Sequence, residues 1–340
     1  MRKQLYILLD YYGRFYHEWD AKDFRLSKFE DYLNKNGFSP IILKFCDIDF
    51  KKHNFKDEIV LYSSCEGGQY KDYIEDILLG IQLRGGILIP NFYLFRAHEN
   101  KSFQQVYRDI RDFGNLNGKA FGALKDFSDR VGNQEFPIVI KAAEGCGSRK
   151  VYLLNDLKSA NRVVKKLSNC IDCRIKRLLD QYKAIIAVKL GKRRYVRIHE
   201  NKTRKFVIQD YVPNLDSDWK VLVFGNKYYI LNRKVRKRDF RASGSGMFSF
   251  LDPPDGLLDF AKLVYDKIES PYASLDIANK GKEFHLLEFQ ALYFGLYTVL
   301  NAEYHFEQEE DCWRKVPGKA IIEKEMADSI LHFVKRLHIN

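Results

Sequence analysis

The chain has 340 residues, a formal net charge of +12, 46% hydrophobic residues and 30% charged residues. That length is enough for more than one hydrophobic core, and the composition is typical of a globular protein in water. No apolar run approaches the roughly 20 residues that span a bilayer, so we expect no membrane-spanning helix. The apolar part of the N-terminal segment, "LYILL", is too short for a signal peptide, and we expect a cytoplasmic location.

The first third of the chain alternates between strand and helix patterns. Short apolar runs predict strands at "KQLYILLD", "SPIILKF", "EIVLYSS" and "ILIP". Helical spacing with a glycine stop predicts helices at "LSKFEDYLNKNG" and "YKDYIEDILLGIQLRGG". Such alternation is typical of a mostly parallel sheet, so we predict a Rossmann-like α/β domain over residues 1–97.

The pattern changes after a predicted helix at "HENKSFQQVYRDIRDF". Short strands follow at "FPIVIK", "KVYLL", "RRYVRIHE", "RKFVIQDYV" and "DWKVLVFGNKYYILNRKVR", with a helix at "NDLKSANRVVKKLS" among them. The last part contains a helix at "GLLDFAKLVYDKIE", two strands in "SLDIANKGKEFHLLEFQ" and a final helix at "AIIEKEMADSILHFVKRL". We predict an α+β body and not a continuation of the parallel sheet.

A glycine-rich loop between two apolar runs is the first candidate for a ligand site. In "FPIVIKAAEGCGSRKVYLL" the first run ends at Lys141, and Gly145, Gly147 and Ser148 follow. Such a loop leaves backbone N–H groups open to phosphate oxygens, and a lysine at the strand end adds a positive charge. An ordinary β-turn beside a solvated lysine is the alternative.

Two acids interrupt the apolar strands of "SLDIANKGKEFHLLEFQ". An antiparallel hairpin turning at "NKGK" brings Asp276 near Glu288, with Gln290 on the same face as Glu288. Two carboxylates and an amide oxygen are hard ligands that suit Mg²⁺. The alternative is a pair of solvent-facing strand acids.

Two further segments carry groups that suit a nucleotide or an anion. The strand that ends at "QDYV", 209–212, stops at a proline and an acidic loop, where backbone groups suit an adenine edge. In "LNRKVRKRDFRASGSG" the arginines at 233, 236, 238 and 241 match phosphate or carboxylate oxygens. A solvated basic loop and a nucleic-acid patch are the alternatives for this second segment.

No nucleophile or cysteine arrangement points to another chemistry. The chain contains no H-E-x-x-H and no G-x-S-x-G, and the C-x-x-C of Cys170 and Cys173 has no second ligand pair. We expect reduced thiols and no covalent catalysis.

The four features occur in the same order as the motifs of the ATP-grasp superfamily. The chain resembles in particular its RimK-like and D-alanine–D-alanine ligase-like carboxylate–amine ligases. "FPIVIKAAEGCGSRKVYLL" resembles the lysine strand and glycine-rich flap of that superfamily, and "FVIQDYV" its adenine hinge. "DSDWKVLVFGNKYYILNRKVRKRDFR" is similar to the RimK-type "D-x-R … R-x-x-x-x-F-R" pattern, and "SLDIANKGKEFHLLEFQ" to the metal-binding strands. The resemblance implies an ATP-grasp fold with an N-terminal α/β domain, 1–97, a central subdomain with the glycine-rich lid, 98–209, and a C-terminal α+β domain with the metal site, 210–340.

The resemblance also implies roles for individual residues, with ATP and Mg²⁺ as cofactors. Lys101 and Lys141 would contact the ATP phosphates, and Ser148 would lie in the closing flap. The adenine would be lined by Gln209, Asp210, Tyr211 and Val212, and Asp218 would face the ribose. The transferred phosphate or the acceptor carboxylate would be held by Arg241, Arg233 and Lys220. Mg²⁺ would be bound by Asp276, Glu288 and Gln290.

Three departures from the family pattern limit this transfer of roles. The third metal position is Gln290 where relatives have asparagine, and the arginine of D-x-R is Lys220. The "N-x-x-P-G" that follows in relatives is replaced by "QALYFGLYTVLNAEYHF". Because that segment shapes the acceptor site in relatives, the substrate does not transfer by resemblance.

The implied activity is ATP-dependent formation of an amide through an acyl phosphate, with release of ADP and phosphate. The implied partners are a small-molecule carboxylate and an amine, with no membrane partner, and the oligomeric state stays open. A small-molecule kinase of the same fold is the first alternative. A non-catalytic basic nucleic-acid-binding protein is the second.

Overall fold

The computed structural model describes residues 3–16, 24–64, 68–113, 116–131, 135–145, 150–169, 171–191, 203–236, 239–242, 244–310 and 312–337. Within these residues, no helix is both long enough and apolar enough to cross a bilayer.

The elements of the first third, in chain order, are β1 (Lys3–Leu9), α1 (Leu26–Lys35), β2 (Phe38–Lys44), β3 (Ile59–Tyr62), α2 (Gly68–Leu83), β4 (Ile87–Ile89), α3 (Phe92–Ala97) and α4 (Lys101–Arg111). The elements of the middle part are β5 (Gly118–Phe121), α5 (Leu124–Ser128), β6 (Ile138–Ala142), β7 (Val151–Leu154), α6 (Leu157–Leu167), α7 (Ile171–Lys189) and β8 (Phe206–Asp210).

The elements of the last part are β9 (Ser217–Phe224), β10 (Lys227–Lys234), β11 (Phe248–Ser249), α8 (Leu257–Ile268), β12 (Tyr272–Lys280), β13 (Glu283–Gln290), α9 (Tyr297–Asn301), β14 (Tyr304–Glu309), β15 (Cys312–Pro317) and α10 (Ile322–Arg336).

The chain divides into two compact units. Unit 1 comprises Met1–His98, Arg111–Gly114 and Asn214–Asn340, and unit 2 comprises Glu99–Ile110 and Asn115–Pro213. Residues of the predicted N-terminal domain, such as Leu5 and Phe29, and residues of the predicted C-terminal domain, such as Leu222 and Met326, share one hydrophobic core in unit 1.

The described residues of unit 1 form two sheets. The first has the strand order β2-β1-β3-β4 with every pairing parallel, so the parallel sheet predicted for the first third is confirmed. The second has the order β13-β12-β9-β10-β14-β15, with β11 beside β10, and all its pairings are antiparallel. The predicted change from a parallel to an antiparallel architecture is therefore confirmed.

In unit 2, the strands that the structure describes form an antiparallel sheet with the order β5-β8-β6-β7. Ile138 and Ile140 of β6 and Phe206 and Ile208 of β8 pack with α5 and α6 in its core. Because strand side chains alternate between faces, the residues between them project from the other face of the sheet.

The structure differs from the sequence prediction at several elements. The helix predicted over 98–113 begins at Lys101, because the side chain of Asn100 accepts a hydrogen bond from the backbone of Phe103 at 3.3 Å and caps it. The helix α7 and the strands β14 and β15 were not predicted. The predicted strand "RRYVRIHE" lies outside the described residues.

Candidate functional site

One face of the antiparallel sheet of unit 1 gathers the predicted metal and anion ligands. In the hairpin of β12 and β13, Asp276 pairs with Glu288 and Ser274 pairs with Gln290. Asp276 also pairs with Lys220 on β9. The hairpin predicted at "NKGK" is confirmed, and it sets the three predicted metal ligands on one face of two neighbouring strands.

A β-bulge places the two acids on the same face. Ile277 pairs with Leu286 and Asp276 pairs with Glu288, which leaves Leu287 as an extra residue on β13. If Leu287 instead paired regularly opposite Asp276, Glu288 would pair with Leu275 on the opposite face, since a shift by one residue reverses the faces. Leu286 and Phe289, on either side, are both only 1% exposed and hold the other face in the core.

A buried network of charges surrounds Asp276. Arg233 of β10 donates from Nε and Nη2 to the two carboxylate oxygens of Asp218, at 2.7 Å each. Nη2 of Arg233 also lies 2.9 Å from Oδ2 of Asp276, and Nζ of Lys220 lies 3.5 Å from Oδ1 of the same carboxylate. Both oxygens of Asp276 therefore face cations.

These contacts keep Asp276 ionised. Burial raises the pKa of its carboxyl, but the charges of Arg233 and Lys220 outweigh burial and lower the pKa to about 2. Burial lowers the pKa of Arg233, and the charges of Asp276 and Asp218 outweigh it, so the guanidinium pKa lies above its usual value. Burial raises the pKa of Asp218, against the opposing charge of Arg233.

Asp218 and Arg233 lie inside this network. Both carboxylate oxygens of Asp218 accept from Arg233, and the residue is only 4% exposed. The observed partner of Asp218 is therefore Arg233, which itself is 6% exposed and bonded to two carboxylates. The roles expected for these residues, ribose contact and phosphate or acceptor binding, stay predictions.

The donor set of this face fits a hard divalent cation. Asp276 is ionised, Glu288 is its cross-strand neighbour, and Gln290 adds an amide oxygen two residues further along β13. No group of three or more His, Cys, Asp or Glu side chains is placed to hold a metal within the described part of the chain. The predicted set has two carboxylates and one amide, so any site here would take its remaining ligands from water or a bound phosphate.

Arg241 lies in the segment after β10. Its guanidinium contacts the carboxylate of Asp239 through Nε, at 2.9 and 3.0 Å, and through Nη2 at 2.6 Å. Hydrogen bonds from Arg241 and the backbone, together with the charge of Arg241, lower the pKa of Asp239 and outweigh burial. Arg238 lies outside the described residues.

In unit 2, lysines gather at the C-terminal end of β6. Nζ of Lys141 donates to Oε1 of Gln209 on the adjacent strand β8, at 2.5 Å. Lys101, at the start of α4, donates from its backbone to the carbonyl of Ala143 at 2.8 Å, and from Nζ to the carbonyl of Gly145 at 2.9 Å. Both predicted phosphate-binding lysines thus lie around the same strand end.

Lys205 is a third lysine at this strand end, and no motif in the sequence predicted it. Its Nζ lies 3.5 Å from Oδ1 of Asn100, and its carbonyl accepts from the backbone of Ala143 at 3.4 Å. The only signal in the sequence was the basic run "NKTRK", which reads equally well as a solvated loop. The strand pairing is what sets Lys205 beside the residues that follow Lys141.

The predicted adenine-binding residues end strand β8. Gln209 is 4% exposed, and Val212 is 7% exposed. Asp210 is exposed and accepts from Nδ2 of Asn117 at 3.0 Å. Tyr211 is half-buried, and Ser148, predicted for the closing flap, lies outside the described residues.

Comparison with solved structures relates the whole chain to ATP-grasp proteins. The D-cycloserine synthetase DcsG matches with a TM-score of 0.56 and 11% identity over 98% of this chain and 99% of that chain. The D-alanine–D-alanine ligase from Bacillus anthracis in complex with ATP matches with a TM-score of 0.51 and 13% identity over 98% of both chains. The chain has an ATP-grasp fold.

A third ATP-grasp structure supports the same fold assignment. A RimK domain protein from Sphaerobacter thermophilus matches with a TM-score of 0.53 and 9% identity over 96% of this chain and 98% of that chain. No family model and no curated protein matches the sequence. The ATP-grasp fold expected from the four motifs is therefore confirmed.

Proposed function

We propose that this ATP-grasp chain is an ATP-dependent carboxylate–amine ligase that forms an amide through an acyl phosphate. The observation that carries the proposal is the face formed by Asp276, Glu288 and Gln290 beside Lys220. Opposed carboxylates and an amide on a rigid sheet suit a cation that accompanies phosphate groups. The lysines at the end of β6 supply charges of the kind that hold those phosphates.

In this proposal the residues bind and orient anions and take no covalent part in the reaction. Lys141 and Lys101 would contact the phosphates of ATP, with Lys205 contributing charge nearby, and 209–212 would line the adenine. Asp276, Glu288 and Gln290 would hold Mg²⁺, which when bound neutralises the charge of the phosphates. Lys220 and Arg241 would stabilise the transferred phosphate and the acceptor carboxylate.

The proposed reaction has two steps. The substrate carboxylate attacks the γ-phosphorus of ATP, which gives an acyl phosphate and ADP. An amine then attacks the acyl carbon, phosphate leaves, and the amine loses a proton to give the amide. Small-molecule carboxylates and amines are the proposed substrates, and a cytoplasmic location, where ATP is supplied, is part of the proposal.

A screen for products tests the reaction. The protein is incubated with ATP, Mg²⁺ and panels of carboxylates and amines, and ADP, phosphate and product masses are measured. We expect ADP, phosphate and a condensed product that requires both substrates. A phosphorylated product without free phosphate would replace the ligase by a kinase, and ATP-independent, salt-dependent binding of DNA or RNA would indicate the nucleic-acid alternative.

Nucleotide binding is tested separately with Lys141→Ala. We expect at least about tenfold weaker ATP binding by calorimetry, since a charge that contacts phosphate is lost. The control is Lys119→Ala, because Lys119 is an exposed lysine on β5 of the same sheet. Equal ATP affinity in the two variants would contradict the role of Lys141.

Metal binding is tested with Mn²⁺ as a probe of the Mg²⁺ site, measured by electron paramagnetic resonance. Glu288→Gln should bind Mn²⁺ at least about tenfold more weakly, because a charged ligand is lost. Glu283→Gln is the matched control, since Glu283 lies on the same strand with its side chain 69% exposed. Loss of binding in both variants, or in neither, would contradict the assignment.

A further inference from the structure

The helix α7 of unit 2 exposes a stripe of large apolar side chains. Among its exposed residues are Leu178 at 57%, Tyr182 at 65% and Ile185 at 56%. The stripe as a whole consists of Ile175, Leu178, Leu179, Tyr182, Ile185 and Ile186. The spacing of three, four and seven residues places them all on one side of the helix.

The opposite side of α7 is the side that packs. Among the side chains of α7 that the structure describes, 175 and 178–189, only Ala187 is buried, and Asp180 and Ala184 are half-buried. These three residues lie about half a turn away from the apolar stripe at 100° per residue. The helix thus packs through small and polar residues and presents its bulky apolar side to the surroundings, which is the reverse of an ordinary surface helix.

The charge of this part of the chain indicates what covers the stripe. Residues 171–191 and 203–205, which the structure describes, contain seven basic and two acidic residues, a net charge of +5. A second copy of the chain would bring two such segments together, and like charges would oppose that pairing. A nucleic acid would match the charge but would leave the aliphatic side chains without an apolar partner.

We propose that α7 docks this chain on an anionic lipid surface, with the stripe from Ile175 to Ile186 inserted among the lipid headgroups. A helix with an apolar face and basic neighbours lies in the plane of a membrane interface and gains from both apolar burial and anionic lipids. Such docking needs no membrane-spanning helix, and none occurs in the described chain. It departs from the expectation of no membrane partner, which rested on the lack of a spanning segment.

Flotation with vesicles tests this docking. The full chain is mixed with vesicles of phosphatidylcholine alone, or of phosphatidylcholine with about one third phosphatidylglycerol, at low and at high salt. We expect binding to the anionic vesicles at low salt and weaker binding in the other conditions. Wild-type protein that does not float with anionic vesicles at low salt would overturn the proposal, and binding to an acidic protein partner instead would identify a different occupant.

Paired variants separate insertion from simple charge attraction. The double variant Leu178→Asp, Ile185→Asp should bind anionic vesicles at least about tenfold more weakly. The control Leu83→Asp, Ile110→Asp adds the same charge at positions 89% and 75% exposed on α2 and α4, and it should bind like wild type. Equal loss in both double variants would show that charge alone accounts for the binding.

Fluorescence gives a direct signal of insertion that does not depend on a destabilising change. Tyr182→Trp should show a blue shift upon addition of anionic vesicles that exceeds any change of the wild type, because the indole enters a less polar environment. No added shift in a variant that floats would overturn insertion of the stripe. Neither experiment requires ATP or a substrate, so both are independent of the proposed ligase activity.

Discussion

The substitution Asp218→Ala removes the carboxylate that holds Arg233 within the antiparallel sheet of unit 1. Both oxygens of Asp218 accept from Arg233 at 2.7 Å, and the two side chains are 5% and 7% exposed. Loss of one partner from a buried ion pair leaves an uncompensated charge and costs about 3–5 kcal/mol. Asp276 still contacts Arg233 and offsets part of this loss, so we expect the free energy of unfolding to fall by about 3 kcal/mol.

Urea unfolding followed by tryptophan fluorescence measures this change. Trp219, the neighbour of Asp218 on β9, is 6% exposed and reports on the same sheet. The control is Lys262→Ala, which breaks a pair with Asp266 at 2.7 Å whose side chains are 39% and 46% exposed. An exposed pair of this kind is worth less than about 1 kcal/mol.

Comparable losses in the two variants would refute the reasoning. Asp218→Ala would then lower the free energy of unfolding no more than the loss of an exposed ion pair does. The buried Asp218–Arg233 pair would therefore not stabilise the sheet around Asp276. Asp218→Asn should give an intermediate loss, since it keeps one acceptor and removes the charge.

Three further predictions concern the packing, the charges and the strand register. Phe206 is fully buried and stacks on Phe121 with ring centroids 5.4 Å apart. Phe206→Ala should lower the free energy of unfolding, measured in urea, by about 3–5 kcal/mol, and Phe206→Leu should lower it less. Burial, with the charges of Arg336 and Lys335, lowers the pKa of His332 below 6.5, so the unfolded chain binds the proton more readily. The stability that the neutral ring contributes should therefore be lost as the pH falls below about 6.5. In His332→Gln, the free energy of unfolding in urea should change less with pH between about pH 7 and 5 than it does in the wild type. Deletion of Leu287 should remove the bulge, leave Glu288 paired with Asp276 on the same face, and keep Mn²⁺ affinity within about threefold of the wild type. Mn²⁺ binding weakened by about tenfold or more would contradict the assignment of Leu287 as the extra residue.

Most of the strands and most of the helices could be predicted because their patterns are local. The alternation around Asp276 and the turn at "NKGK" predicted the hairpin, and the structure has it at β12 and β13. The parallel sheet of the first third was likewise predictable from apolar runs between helices with glycine stops.

The bulge and the charge network could not be predicted, because both depend on strand pairing. Nothing in "HLLEFQ" shows that Leu287 is the extra residue until β13 is aligned with β12. The partner of Arg233 is fifteen residues away, on a strand whose register fixes which acid it meets. Charged residue types indicate an anion or metal site, but they do not indicate which of them neutralise one another.

The helix α7 was missed for a different reason. Its apolar residues have helical spacing, but they alternate with arginine and lysine in a segment rich in charge. An apolar stripe is normally interpreted as core, and here the structure leaves it exposed.

The shared core of unit 1 has a consequence for how the chain folds during synthesis. Leu5 and Ile7 of β1 pack in the same core as Ile330 and Phe333 of α10, so the first strand cannot complete its contacts until α10 has left the ribosome. Unit 2, which lies within Glu99–Pro213, can fold while more than a hundred residues are still to be translated, given that domains generally fold as units during synthesis. The apolar side chains of the early strands would therefore stay partly exposed until α10 is synthesised. During this interval the nascent chain is most accessible to chaperones and most prone to aggregation.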